Sequence, residues 1–506
     1  MTKQKVEAVI IGTGFAGICM AIKLKQAGIN DFVILEKDDK PGGTWYANTY
    51  PGAECDVHSH LYQFSFEPNP HWNKMFGSQK EILEYCNHCM EKYGLMPHVR
   101  LNSESIEHTF DEDSGTWTVK TSDGKIYEAR YVISGAGGLS RPLIPDIKGI
   151  KTFKGAMFHT ARWDHDFDIR KKRVAVIGSG ASAIQVVPAI APKVKQLTLF
   201  QRTPSWVIPK PDREISQFEK GMFKYLPFMQ QLYRGALFMR NELMAAGFVL
   251  DHRIFKLVQP IAERYIKSVV KDPGLQKKVT PDYTIGCKRI LLSNDYYPAL
   301  NRKNVRVIDE GVKEITTKGI RTSDGVEHEF DCIILATGFH ASESVVNYPI
   351  VGLHGIEIHK AWKDTGPEAY LGTVISGFPN SFMIVGPNTG LGHSSMILMI
   401  EHQVHYIMEY IKAAKKLKAK YLDVKKDVQD TYNMAIQKRL NKAIWGDNGG
   451  CNSWYKTKDG KNTTLWPGFT FEFKARTYFF KPGDYSIVPF TQQKKAAAKK
   501  QELVES

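Results

Sequence analysis

The sequence predicts an α/β chain with two doubly wound βαβ units and a helical insertion. Three observations carry that expectation. The chain opens with strand, glycine turn, helix and strand in VEAVIIGTGFAGICMAIKLKQAG and FVILEK. The same order returns in RVAVIGSGASAIQVVPAIA and QLTLFQR. Strands covered on both faces are unbroken apolar runs, as AVII and FVIL are. Residues 210–285 then lose the strand signals and show long helical periods rich in aromatic residues.

The first turn, with Gly12, Gly14 and Gly17, has the GxGxxG spacing after a strand and before a helix. Such glycines allow a tight turn and let the backbone approach a pyrophosphate held at the helix N-terminus. Glu36 ends the next strand, where a carboxylate accepts hydrogen bonds from ribose hydroxyls. TWTVKTSDGKIYEARYVISGAG follows as alternating strands and a buried strand ending in small residues. The second turn is Gly178, Ser179, Gly180, Ala181, Ser182 and Ala183. Glu36 lies 24 residues after Gly12, and Arg202 lies 24 after Gly178. One position thus carries an anion in the first unit and a cation in the second. Glu36 would repel a 2′-phosphate, whereas Arg202, helped by the Thr203 hydroxyl, would pair with it. This charge logic predicts two Rossmann-like dinucleotide-binding domains, with FAD in the first and NADPH in the second. DCIILATGF adds a buried strand ending in small residues, a feature of paired-nucleotide flavoproteins. The expected FAD domain comprises residues 1–140 and 380–506, and the NADP domain residues 151–207 and 286–375; residues 208–285 form the insertion.

Composition sets further bounds. A chain of 506 residues is too long for one core. Its mean hydropathy of −0.31 is that of an ordinary globular protein. The net charge of +15 suits a lysine-rich solvated surface or attraction to an anionic ligand or membrane surface; a phosphorylated cofactor satisfies it without nucleic acid. Seven cysteines without framework spacing fit a reducing compartment, and Cys86 and Cys89 lack a second ligand pair for a metal. The N-terminus runs straight into a strand with no signal-peptide pattern, so a cytoplasmic location is expected. No apolar run reaches the ~18 residues of a membrane span. The nearest, GALFMRNELMAAGFVL, is broken by Arg240 and Glu242 and reads as a packed helix, with peripheral contact to lipid as the alternative.

Two longer patterns narrow the class. GGTWYANTYPGAECD carries Gly43, Trp45, Tyr50, Pro51, Gly52 and Asp56, and FKGAMFHTARWD carries Phe153, Gly155, His159, Trp163 and Asp164. In this order, and with both glycine turns, they resemble the fingerprints of type I Baeyer–Villiger monooxygenases over roughly residues 6–485. The resemblance implies conversion of ketones to esters or lactones with O₂, through a C4a-peroxyflavin formed after NADPH reduces FAD. An apolar ketone and O₂ are then the partners; oligomeric state is unreadable. Such chemistry needs a fixed positive charge at the flavin. The resemblance places Arg289 of GCKRILLSNDYYPAL there, fixed by Asp56, and Lys288 on the 2′-phosphate. It makes Trp454 of NSWY a catalytic clamp over the nicotinamide ribose. Thr44, Trp45, Tyr62 and Met396 join the FAD site, while His393 has no chemical task.

The FKGAMFHTARWD stretch reads as the crossing between the two nucleotide domains, with His159 and Trp163 coupling their rotation. The alternative activity is oxidation of sulfur or nitrogen by a related class B flavin monooxygenase. A flavin disulfide reductase needs a paired redox cysteine, and only Cys19 lies on the first helix. A binding protein without turnover is the remaining reading. NTTLWPGFTFEF departs from the continuation in cyclic-ketone members, so linear, cyclic and aryl ketones all stay open.

Overall fold

The computed structural model describes residues 3–251, 253–340, 346, 348–446, 455–457 and 459–490. Two sheets organise them. The larger has eight strands, with Lys3–Ile11 between Phe32–Leu35 and Ile126–Ser134. Lys3–Ile11 runs parallel to both neighbours, and Ala8 to Ile11 pair with Phe32 to Leu35 in unbroken register. Burial follows composition: all four residues of FVIL are buried. Thr116–Thr121 pairs antiparallel with Ile126–Ser134, and it alternates between buried and half-buried residues as its period-two pattern predicts.

The smaller sheet has five parallel strands in the order Val305–Ile308, Gln196–Phe200, Arg173–Ile177, Cys332–Leu335 and Ala156–His159. This order corrects one expectation. Ala156–His159, read as part of a crossing, is the edge strand of this sheet, paired from Cys332↔Ala156 to Leu335↔His159. A second difference concerns the far end of the NADP-domain assignment. Ile350–Val351 pairs with Ser105–Asp111 in the larger sheet, so the backbone returns there before residue 375.

The 210–285 region is helical, with helices Gln217–Tyr225, Pro227–Val249, Ile254–Val269 and Pro273–Val279. The first is closed by a capping box between Ser216 and Glu219. Among the described residues, no helix is long and apolar enough to cross a membrane. Cys86 and Cys89 are free and buried on the helix Gln79–Lys92, and no cluster able to hold a metal occurs among the described residues.

Candidate active site

The first glycine turn leads into the helix Phe15–Gln26 with Gly14 at its N-cap. Gly12 sits at φ +93°, a left-handed conformation that favours glycine. A Cβ on Gly17 would stand 1.9 Å from the Gly12 carbonyl oxygen, so the helix closes on the turn only because that atom is missing. A Cβ on Gly43 would meet Gly14 Cα at 2.8 Å, which brings the GGTW loop directly onto the cradle. Glu36 is buried; it accepts from the Thr13 amide at 2.9 Å and the Asp38 amide at 3.0 Å.

These groups open on a cavity of 360 Å³ lined by Gly12, Gly14, Glu36, Gly43, Thr44, Trp45, Tyr62, Arg289 and Met396. The Trp45 indole donates to the Tyr62 hydroxyl at 3.2 Å. Met396 opens the helix Met396–Lys416, whose N-cap Ser395 accepts from the Ile397 amide. A slot with backbone amides at one end, a buried carboxylate and close glycine contacts fits the pyrophosphate, ribose and ring of FAD.

Arg289 and Asp56 meet at the wall of this cavity. Arg289 Nε donates to Asp56 Oδ2 at 2.8 Å and Nη2 to Oδ1 at 2.7 Å, a bidentate pair. Asp56 holds the guanidinium pKa above its ordinary value, against the opposing effect of burial. Arg289 Nη1 reaches the Leu391 carbonyl at only 3.4 Å, so this nitrogen is the least committed of the three. Tyr455 lines the same cavity, and burial raises its hydroxyl to about 12. Its predicted neighbour Trp454 lies outside the described residues.

The second turn resembles the first. Gly178 has φ +131°, and a Cβ there would lie 2.2 Å from the Ala336 oxygen, so the ATG segment packs onto the turn. Gly180 caps the helix Ala181–Ile190 and faces open space, as a phosphate-facing position must. Ala181 and Ser182 form the first helical turn, and Ala183 is buried beneath it. Ser179 Oγ donates to the Thr203 carbonyl at 2.6 Å, which ties the cradle to the turn carrying exposed Arg202. Lys288 stacks its ammonium over Tyr283 at 4.7 Å. Burial and then the Arg202 charge lower its pKa, so two cations from distant segments converge. Two cations that feel one another's charge suit a 2′-phosphate.

Sequence reasoning missed the contacts between the two units. Tyr50 hydroxyl donates to Gln185 Oε1 at 2.7 Å, and Gln185 Nε2 donates to the Glu54 carbonyl at 2.9 Å. A Cβ on Gly52 would lie 2.6 Å from the Gln185 carbonyl oxygen. The Tyr-Pro-Gly of the first fingerprint therefore rests on the helix of the second cradle. Buried Lys210 adds a 2.7 Å ion pair with Glu54. Arg162 of the second fingerprint lies 3.6 Å from Asp38, and the ring of His165, just after that stretch, bonds Thr49 at 2.7 Å. His159 is buried; its Nδ1 accepts from the Ala161 amide at 3.0 Å, and burial lowers its pKa to about 4. The His393 side chain is buried 3.6 Å from Glu242 and bonds the Thr470 hydroxyl at 3.4 Å.

Two glycine cradles, each between parallel strands, one ending in a buried carboxylate and one in paired cations, define a two-nucleotide flavoprotein oxidoreductase. Residues 9–224, which include both glycine turns, match the family of pyridine nucleotide-disulphide oxidoreductases. A Baeyer–Villiger monooxygenase of Pseudomonas aeruginosa is 49% identical over 479 residues, spanning 94% of this chain and 90% of that protein. One from Streptomyces coelicolor is 44% identical over 486 residues, spanning 96% and 93%. Among solved structures, cyclohexanone monooxygenase from Rhodococcus sp. Phi1 bound to NADP+ superposes with TM-score 0.85 at 28% identity, over 96% of this chain and all of that one. Oxidised steroid monooxygenase bound to NADP superposes at 0.86, also with 28% identity and the same coverage. The chain belongs to the Baeyer–Villiger monooxygenases and is an FAD- and NADPH-dependent enzyme.

Proposed function

We propose that Arg289 supplies the positive charge beside the reacting oxygen, with Asp56 as its positioning residue. The observation that carries this reading is the bidentate pair at the wall of the flavin cavity. FAD held in this cavity and reduced by NADPH would activate O₂, one oxygen atom entering beside the ketone carbonyl and the other leaving as water. Two of the five guanidinium N–H donors are committed to Asp56, and the Nη1 group remains to bind an oxyanion. The arginine stays charged at any working pH, so the stabilising field needs no proton transfer. Gly12, Gly14, Gly17, Glu36, Gly43, Thr44, Trp45, Tyr62 and Met396 hold FAD in this proposal. Gly178 to Ala183 hold the NADPH pyrophosphate, and Arg202, Thr203 and Lys288 its 2′-phosphate. Trp454 is retained as a clamp over the nicotinamide ribose on the family resemblance alone.

The domain assignment follows the sheets: the larger unit takes FAD, the smaller NADPH, and the second segment of the smaller unit ends before Ile350. The ketone is apolar in this reading. What supports that is the cluster beyond Leu391, where Phe248 stacks on Trp445 at 5.1 Å and both border Gly392.

The test is Arg289→Ala with NADPH, air and a panel of linear, cyclic and aryl ketones. The variant should stay yellow and form no ester or lactone. Ester at wild-type rates would remove Arg289 from the chemistry. Sulfoxide or N-oxide formation by the wild type with no ester from any ketone would favour the heteroatom reading.

A further inference from the structure

The helix Pro227–Val249 is amphipathic in the inverted sense. Its inward face carries polar groups beside buried Leu237, Ala245 and Phe248. Gln230 donates to the Asn69 carbonyl at 2.7 Å, and Arg234 Nη1 donates to the carbonyls of His60 and Gln63 at 2.9 and 3.1 Å. Asn241 is buried, and Glu242 accepts from the Thr470 amide at 2.9 Å. Its outward face is apolar at helical spacing: Phe228, Leu232, Met239 and Leu243 are 56, 64, 55 and 73% exposed. Leu250 continues the row at 71%. A helix facing water has the opposite arrangement. Exposed Phe218 and Tyr225 on the preceding helix, and Leu257 and Ile261 on the following one, enlarge the apolar surface. Large apolar side chains this exposed on three consecutive helices are the mark of an interaction surface.

Charge says what covers it. Between Arg213 and Lys278 the chain has twelve Lys and Arg but six Asp and Glu. Three of those acids are engaged: Glu219 with Arg213, Glu242 on the inward face, and Asp251 with Arg253. Lys224, Arg264, Lys267 and Lys271 are exposed. We propose that this helical face docks in the headgroup plane of an anionic lipid bilayer. Apolar side chains would enter the acyl boundary while the basic side chains meet lipid phosphates. A second copy fits less well, because pressing two such faces together would bring like charges into contact. The same helix carries buried Phe248 near its C-terminal end, so docking would hold one wall of the apolar cluster proposed above close to the bilayer surface. That consequence rests on the pocket reading; the docking does not.

The experiment is flotation of the full-length FAD-loaded protein. Vesicles of phosphatidylcholine with phosphatidylglycerol are compared with phosphatidylcholine alone, at low and high salt. Anionic vesicles should float about tenfold more protein, and salt should weaken this. The double variant Leu232→Glu, Leu243→Glu should fall to background while remaining yellow and oxidising NADPH. No flotation with anionic vesicles would overturn the proposal. So would a wild-type dimer mass by light scattering that the same variant halves, since the face would then bind a second copy.

Discussion

Asp56 and Arg289, 233 residues apart in sequence, face each other through two parallel hydrogen bonds of 2.7 and 2.8 Å. A carboxylate on the strand Glu54–His58 thus sets the aim of a guanidinium on a distant loop. Asp56→Ala should leave Arg289 charged but misaimed. Ester formation should fall about a hundredfold, with NADPH consumption diverted to hydrogen peroxide. Peroxide and ester measured side by side check this, and unchanged coupling would show that Arg289 needs no such support.

Cofactor preference follows from the converging cations. Arg202→Asp should lower kcat/KM for NADPH about tenfold to a hundredfold through the lost charge-assisted contact. Activity with NADH should hold or rise. Lys288→Met should give a smaller loss in the same direction. Steady-state kinetics with both nucleotides decide this, and an equal loss for both would assign Arg202 a structural task.

Gly17→Ala places a methyl group where the Gly12 carbonyl oxygen already stands, at 1.9 Å. Relief requires the helix Phe15–Gln26 to move off the turn, at a cost of about 1–3 kcal/mol or more. The purified variant should be colourless or insoluble. A yellow variant of wild-type stability would mean the helix relocates without loss.

The link between the units predicts an effect on coupling. Tyr50→Phe removes one hydrogen bond to Gln185, worth about 1 kcal/mol in stability. The larger effect should appear as peroxide released per NADPH, because the orientation of the two cradles is less well held. Thermal unfolding and product ratio, measured together, separate the two effects.

Acid sensitivity has an identified source. Burial lowers His159 and His60 to about 4. Unfolded, these rings bind a proton near pH 6.5. The native state therefore binds fewer protons between pH 6.5 and about 4. Stability is fully present above that window and is lost as pH falls through it. A His159→Gln variant should show a shallower fall in Tm between those limits. An unchanged slope would show that His159 titrates normally.

Legibility depended on how local each signal was. The two cradles were readable because glycine spacing and apolar runs act within about thirty residues. The Asp56–Arg289 pair was reachable only through the family pattern, since no local rule joins residues on separate segments. The strand Ala156–His159 was misread as a crossing because its pairing with Cys332–Leu335 is non-local. Tyr455 went unnoticed beside the more conspicuous Trp454, and Gln185 looked like an ordinary helix residue in ASAIQVV. The inverted helix hid for a further reason: hydropathy registers Arg240 and Glu242 as interruptions without saying which side they face.

The contact of Gly52 with Gln185 has a mechanical consequence. Beside the apolar packing of Tyr50 and Ala53, hydrogen bonds and a missing methyl group set this seam, and those directional contacts behave as a latch. A latch resists sliding because its geometry is directional, yet it releases for a few kcal/mol. Inserting one carbon at residue 52 would jam it, and the price would be paid in turnover with the fold left standing.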